Sequence, residues 1–417
     1  MKKDFIYLER YVNDGSPSGF SLNTTSRETS PKDGTKSFKI LEFDDNDETF
    51  IIGKKNKIFE RGVNYAHPDS LNNPFFKNTG IRTSKYVVSP TASGRTMLLL
   101  NKNKPGFLKL TYENIIDRSP RFIYLRDALI SLQNNYKIKR SIDDGSLPKT
   151  FAILPEESAK VTFLKNHGKH ISWGTIYRDC TPYPILNKNY SYVPAFSLFS
   201  HDYKNIGSDP VIADFIKLSG ENPDKYLFNM LDIIIDSFFG LILNCGFFSE
   251  MHAQNCLFEI DDNYNVTRLI LRDLQDMTFD TMVKPIDNFP YMTQELENYV
   301  ELLENKNFDR YQLPRTDYLH QRDVSYYYDF KLGEYLLKPL IKSVCNYYNL
   351  DKNVFYQYVK DKANDEYIKL FPHDYFPKEW YKIRKEIYDF AHKGLDYYYI
   401  KKKNPKFRWY LGFFYWI

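Results

Sequence analysis

The spacing of apolar positions changes character along the chain. From Phe38, the runs FKILEF, TFIIGKK and KYVVSP are rich in β-forming residues and separated by Gly, Asp and Asn turns, which predicts an antiparallel sheet. Beyond about Pro210, apolar residues recur at three- and four-residue intervals in ADFIKLSG, KYLFNMLDIIIDSFFGLILN, QELENYVELLEN, FKLGEYLLKPLIKSVCNYY and WYKIRKEIYDFAHKGLDYYY. The C-terminal half is therefore expected to be mostly helical. Within it, CLFEIDDNYNVTRLILRDL reads as a hairpin whose strands flank the turn DDNYN. Residues 13–36 are rich in Ser, Thr, Gly, Asp and Pro, and predict weak order. The chain thus divides into a partly mobile N-terminal segment (1–36), a β-rich region (37–209) and a helical region (210–417).

Composition narrows the classes. A chain of 417 residues, 42% apolar and 26% charged, has enough apolar material for a large folded core. Its 57 basic and 53 acidic residues are interleaved, so no sustained basic face points to nucleic acid. Cys180, Cys245, Cys256 and Cys345 are widely spaced, with no paired-ligand metal spacing, and are expected as reduced thiols. The opening MKKDFIYLERYVND lacks the apolar stretch of a signal peptide, so a cytoplasmic location is expected. The longest apolar region, Leu227 to Phe248, is interrupted by Asn229, Asp232, Asp236, Ser237 and Asn244, and reads as a core helix rather than a transmembrane span. The basic and aromatic tail KKKNPKFRWYLGFFYWI reads as a packed terminal segment, with a membrane-surface or oligomer contact as the alternatives.

Candidate chemistry concentrates in a few segments. GFFSEMHAQNCLF gathers Glu250, His252, Gln254 and Asn255 within six residues, and LILRDLQD follows with Arg272 and Asp273 at a strand end. Carboxylates from the loop and the hairpin suit a shared Mg2+, which prefers oxygen ligands together with nucleotide phosphates. SPTASGRTM supplies Ser89, Thr91, Ser93, Gly94, Arg95 and Thr96, a turn of hydroxyls, backbone donors and a guanidinium suited to polyphosphate, although without Walker spacing. Lys109 lies in the apolar run FLKL, and Arg121 follows twelve residues later.

These segments resemble, in order and spacing, blocks of the IucA/IucC family of NRPS-independent siderophore synthetases. HPDSLNNPFFKNTG is similar to the family's doubled His-Pro motif, with His67, Pro68, Pro74, Lys77 and Gly80 kept and Asn73 standing where the second His is expected. TASGRT resembles its Thr-Ser-Ser-x-Arg-Thr loop, KLT with Arg121 its Lys-Leu-Ser strand and trailing Arg, and EMHAQN with LILRDL its Glu-x-His-x-Gln-Asn block and later Arg-Asp. The resemblance implies an α+β fold in which an antiparallel β-rich "fingers" region precedes a mostly helical "palm", with an ATP site in the cleft between them.

Carried over by position, the resemblance implies that Ser93, Arg95, Thr96, Lys109, Arg121 and His252 contact ATP phosphates. Glu250 and Asp273 would hold Mg2+, with Asn255 close by. It further implies adenylation of a small-molecule carboxylate, release of pyrophosphate and capture of the acyl-adenylate by an amine, and leaves a homodimer open. Family members carry a longer region ahead of the phosphate loop than this chain offers. The segment KNHGKHISWGTIYRDC supplies Lys165, His170 and Arg178 as candidate carboxylate-binding cations. The alternatives are a phosphotransferase, which lacks an HRD-type loop here, and an inactive nucleotide-binding scaffold. The acid, a citrate-like polycarboxylate or a uronic acid, stays open.

Overall fold

The β-forming runs after Phe38 pair into one eight-stranded sheet in the computed structural model, which describes residues 4–14, 26, 28–32, 37–100, 106–116, 119–166, 169–186, 191–279 and 326–369. The strands are β1 (Phe38–Asp44), β2 (Thr49–Gly53), β3 (Val63–Ala66), β4 (Arg82–Pro90), β5 (Thr96–Leu99), β6 (Gly106–Leu110), β7 (Tyr112–Ile116) and β8 (Ser119–Arg121). They continue as β9 (Phe151–Ile153), β10 (Glu156–Asn166), β11 (Lys169–Asp179), β12 (Ser191–Pro194), β13 (Phe247–Ser249), β14 (Cys256–Ile260), β15 (Val266–Leu271) and β16 (Met277–Phe279). The large sheet has the order β2-β10-β11-β6-β5-β4-β1-β3, antiparallel throughout. A second sheet, β12-β14-β15-β9, draws strands from both sides of residue 210, and β9 joins β15 in parallel. The predicted hairpin is β14–β15, antiparallel as expected.

The described helices are α1 (Phe5–Tyr11), α2 (Leu125–Asp143), α3 (Val211–Ser219), α4 (Pro223–Gly240), α5 (Lys338–Tyr348) and α6 (Lys352–Lys369). Asn222 caps α4 by accepting from the Asp224 and Lys225 amides, and Pro223 occupies the first turn, where no intrahelical donor is lost. The helix passes into a π-helical turn, Leu241–Cys245, and stops at Gly246 in a left-handed conformation, φ 73°. Pro223–Cys245 is apolar and long enough for a bilayer, but 72% of its most apolar window is buried, as a core helix requires. It packs in the largest apolar cluster with Phe215, Phe258, Leu269 and Leu340.

Period-two alternation decides what faces what. In β10, Ala159, Val161 and Phe163 meet Leu125, Ala128 and Leu132 of α2. In β6, Leu108 and Leu110 join one cluster with Met97 and Val88, whereas Phe107 turns the other way, onto Leu154 and onto Ala152, Leu257 and Ile270 of the second sheet. Lys109, two residues from Phe107, shares that second face.

Sequence reading did not identify α2, because its buried face mixes Ser131, Gln133, Asn134 and Asn135 with the apolar residues. Near the N-terminus, Leu8, Val12 and Asn13 are buried, and Ser26 and Thr29 donate to the Asp69 carboxylate; most of 13–36, where weak order is expected, lies outside the described residues. The helices read over 294–305 and 380–399, and the aromatic tail, lie outside the described residues.

Gly174 in β11 is required by close approach. A Cβ there would lie 2.6 Å from the Ile123 carbonyl oxygen, while the Gly174 amide donates to Thr111 Oγ1 and its carbonyl accepts from the Thr111 amide. Gly174→Ala is expected to lower stability by about 1–3 kcal/mol. An unchanged melting temperature would show that these strands are not held as tightly as described.

Candidate active site

The link between β4 and β5 is a tight turn, Thr91–Thr96, built by its own hydroxyls. Thr91 Oγ1 donates to the Thr96 carbonyl at 2.8 Å, Ser93 Oγ accepts the Thr96 amide at 3.0 Å, and Gly94 takes φ 74°. The turn sends Arg95 across to β8, where its Nη1 donates to the Arg121 carbonyl at 3.2 Å. Thr96 pairs with Lys109 in register, which puts both side chains on the face turned toward the second sheet. Arg121 anchors itself through Nη2 to the Ile116 carbonyl. Arg95, Thr96, Lys109 and Arg121 are thus neighbours, and Ser93 lies in the turn beside them.

Opposite them stands the end of β15. Asp273 adopts a left-handed backbone, φ 70°, which Asp tolerates better than most residues. Its carboxylate accepts from Lys109 Nζ, which also donates to Gln275 Oε1 at 2.9 Å. Arg178 on β11 stands 3.8 Å from the same carboxylate and is held by Glu156, whose Oε1 accepts its Nε–H at 2.7 Å. Burial alone would raise the Asp273 pKa; Lys109, Arg178 and Arg95 overcome that and hold it well below the usual carboxylate range.

The Glu250–Asn255 loop closes the third side. Met251 and Ala253 point into the core, fully buried, so Glu250 and His252 emerge on the other side. The Gln254 amide donates to His252 Nδ1 at 3.2 Å, which leaves the proton of the neutral ring on Nε2, 3.6 Å from Glu250 Oε2. Burial keeps His252 below its ordinary pKa. Burial would raise Glu250, but His252 and Lys331 pull it down to about 2; Lys331 Nζ stands 2.8 Å from Glu250 Oε1. Asn255 is buried and donates from Nδ2 to the Glu250 carbonyl, fastening the loop to itself.

Sequence reasoning missed several participants. Lys331 comes from the π-helical segment Tyr326–Leu337, Gln275 and Asp276 from just past Asp273, and Glu156 from the start of β10. Asp276 is pushed up to about 6, first by desolvation and then by the Asp273 charge. The Gln-Asp that follows Arg-Asp in LILRDLQD was the available signal for the second and third of these. His67 and Asn73 of the first block cap short 3-10 turns, Pro68–Ser70 and Pro74–Phe76, by accepting the Asp69 and Phe75 amides.

The three candidate carboxylate-binding cations do not converge. Lys165 pairs in register with His170 near the β10–β11 turn, whereas Arg178 pairs with Glu156 at the far end. Eight residues of strand separate His170 from Arg178, about 26 Å at the usual rise. Lys165 is exposed and bonded to Glu48, while Arg178 is buried beside Asp273. Only Arg178 reaches the cluster.

Among the described residues, no three His, Cys, Asp or Glu side chains gather into a metal cage. The carboxylates nonetheless fit Mg2+, which is commonly held by one or two carboxylates and completed by water and phosphate oxygens. Asp276 is the incompletely compensated charge, next to Asp273 and influenced by Glu250.

No family model and no curated protein matches this sequence. Solved structures do. The petrobactin biosynthesis protein AsbB from Bacillus anthracis str. Sterne aligns with a TM-score of 0.66 over 93% of this chain and 70% of its own, at 14% identity. The aerobactin synthetase IucC from Klebsiella pneumoniae aligns at 0.65 over 88% of this chain and 70% of its own, at 14% identity. ATP-bound aerobactin synthetase IucA from the same organism aligns at 0.59 over 81% of this chain, at 12% identity, and this chain spans 63% of its length. The chain has the IucA/IucC type of α+β fold.

The raised Asp276 pKa gives a pH test. A carboxyl that binds its proton more tightly when folded disfavours the fold as pH rises through about 6. Asp276→Asn is therefore expected to raise the melting temperature at pH 7.5, with the gain vanishing toward pH 4. A pH-independent difference would remove Asp276 from the charge cluster.

Proposed function

We propose that this chain is an ATP-dependent ligase that adenylates a small-molecule carboxylate and transfers the acyl group to an amine, forming an amide. The observation that carries this reading is the convergence of Lys109, Arg95 and, beside Arg95, Arg121 with Asp273 and its neighbour Asp276, within a fold shared with an ATP-bound synthetase.

In this reading, Arg95, Lys109 and Arg121 bind the triphosphate, with the Ser93 and Thr96 hydroxyls and the His252 Nε2–H as further donors. Asp273, with either Asp276 or Glu250 as a second carboxylate, would hold Mg2+, which supplies charge neutralisation for the departing pyrophosphate. A carboxylate oxygen of the substrate attacks the α-phosphorus, and the bond to the β-phosphate oxygen breaks with release of pyrophosphate. The amine nitrogen then attacks the acyl carbon, AMP leaves with the bonding electron pair, and the amine gives up a proton. Negative charge builds on the phosphoryl oxygens in the first step, so donors fixed in advance lower its barrier. Arg178, buried and oriented by Glu156, is the member of the proposed cation trio suited to help orient the acid. A citrate-like polycarboxylate and a sugar uronic acid are the two acids to be tried first.

Purified protein with Mg·ATP, hydroxylamine and carboxylates from citrate to glucuronic acid is expected to release AMP and pyrophosphate and to form a hydroxamate with the accepted acid. Release of ADP would identify a phosphotransferase instead, and nucleotide binding without turnover on any acid would favour a scaffold. Arg95→Ala, His252→Ala and Asp273→Ala are each expected to slow adenylation by at least ~10²-fold, the scale of losing a contact to developing charge. Near-wild-type rates in any two would mean that the site lies elsewhere.

A further inference from the structure

Helix α1 belongs to no motif, yet one of its side chains touches both halves of the site. Glu9 is fully buried. Its Oε2 accepts the Ala92 amide at 3.0 Å, inside the Thr91–Thr96 turn. Its Oε1 pairs with Arg272 Nη1, a contact between residues 263 positions apart. Arg272, itself buried, donates from Nε to the Gln254 carbonyl at 2.7 Å, and its amide donates to the Asn255 carbonyl at 2.9 Å. One carboxylate therefore joins the turn that carries Ser93, Arg95 and Thr96 to the loop that carries Glu250, His252 and Asn255.

The helix is fixed firmly enough to serve as such a tie. Phe5 packs edge-on against Phe107 of the large sheet and Tyr192 of the second sheet, with ring centroids 5.8 and 5.1 Å away. Leu8 and Val12 enter the main core. Arg10 Nε donates to the Pro31 carbonyl, Asn13 Nδ2 to the Glu9 carbonyl, and the Tyr203 amide to the Tyr11 carbonyl. A seven-residue helix has no stability of its own, so its position reports these contacts.

We infer that Glu9 is a positioning residue: through Ala92 and Arg272 it sets the spacing between the Thr91–Thr96 turn and the Glu250–Asn255 loop. Its consequence for nucleotide binding rests on the function proposed above; the mechanical coupling does not. A buried ion pair with only one partner left is unfavourable, so loss of either member is felt along the whole connection.

The test is reciprocal. Hydrogen exchange measured by mass spectrometry on the full chain should show Glu9→Gln speeding exchange in 250–256, and Arg272→Met speeding exchange in 91–96, each by about tenfold or more, with β10 and β11 unchanged. A merely local structural role would not carry a change at Arg272 to the turn. Calorimetric titration with Mg·ATP, at a temperature where both variants are folded, should show affinity lowered by about tenfold or more, the scale of a charged hydrogen bond. Should Glu9→Gln fail to fold, Glu9→Asp keeps the charge but shortens its reach, and is expected to loosen the same two segments. Exchange that changes only in the substituted residue's own segment would overturn the inference; loosened segments with unchanged Mg·ATP affinity would overturn its consequence for nucleotide binding. Reciprocal loosening in a protein whose wild type takes up no Mg·ATP would uphold the coupling and sink the nucleotide reading.

Discussion

Charges are expensive to bury unless each finds a partner of opposite sign, and this constraint organises the centre of the molecule. Lys109 and Asp273 lie 164 positions apart in the chain and meet between two sheets. Burial alone would push the Asp273 carboxyl toward its neutral form. Around them Glu156 holds Arg178 while also accepting from Ser131 and from the Leu274 amide, so α2, β10, β11 and the end of β15 share one carboxylate. Asn134 adds a bond to the Leu274 carbonyl. Packing against apolar clusters brings these elements together, but the polar network determines their register at the point where they meet.

The charges of the network are largely paired within the protein. Asp273 is neutralised by Lys109 and Glu250 by Lys331, while Arg95 and Arg121 rest on backbone carbonyls rather than on carboxylates. In the function proposed above, an incoming polyphosphate would take over the guanidinium and ammonium donors and its cation the carboxylates, leaving no stranded charge. Asp276, crowded by Asp273, is where the balance is least complete.

The scaffold around the network uses ordinary devices. Strand alternation gives β6 an apolar face toward one cluster and a face bearing Phe107 and Lys109 toward the other. The Glu250–Asn255 loop is pinned by buried Met251 and Ala253, and by the Ala253 amide donating to the Tyr335 carbonyl of a π-helical segment. That segment also supplies Lys331. Irregular helical hydrogen bonding adjoins the site on two sides, at Leu241–Cys245 and Tyr326–Leu337, as often occurs near functional positions.

Local patterns are written in neighbouring residues, and these were legible: the β-forming runs, the β14–β15 hairpin, the buried character of Pro223–Cys245, and the motifs around Ser93, Lys109 and Glu250. Their order along the chain was enough to point to a fold that the solved structures share. What neighbours cannot encode is which distant side chains face one another. α2 was missed because its buried polar residues are satisfied by Glu156 and Leu274, partners visible only once folded. Lys165 and His170 looked equivalent to Arg178 in a linear reading, and a strand's length separates them in space. Glu9 looked like one more charge on an unremarkable N-terminal segment. Local residue order sets which elements form and which chemical groups are on offer; which charges end up paired is settled only by folding, because a pair's energy depends on distance and burial, and neither is a property of spacing along the chain.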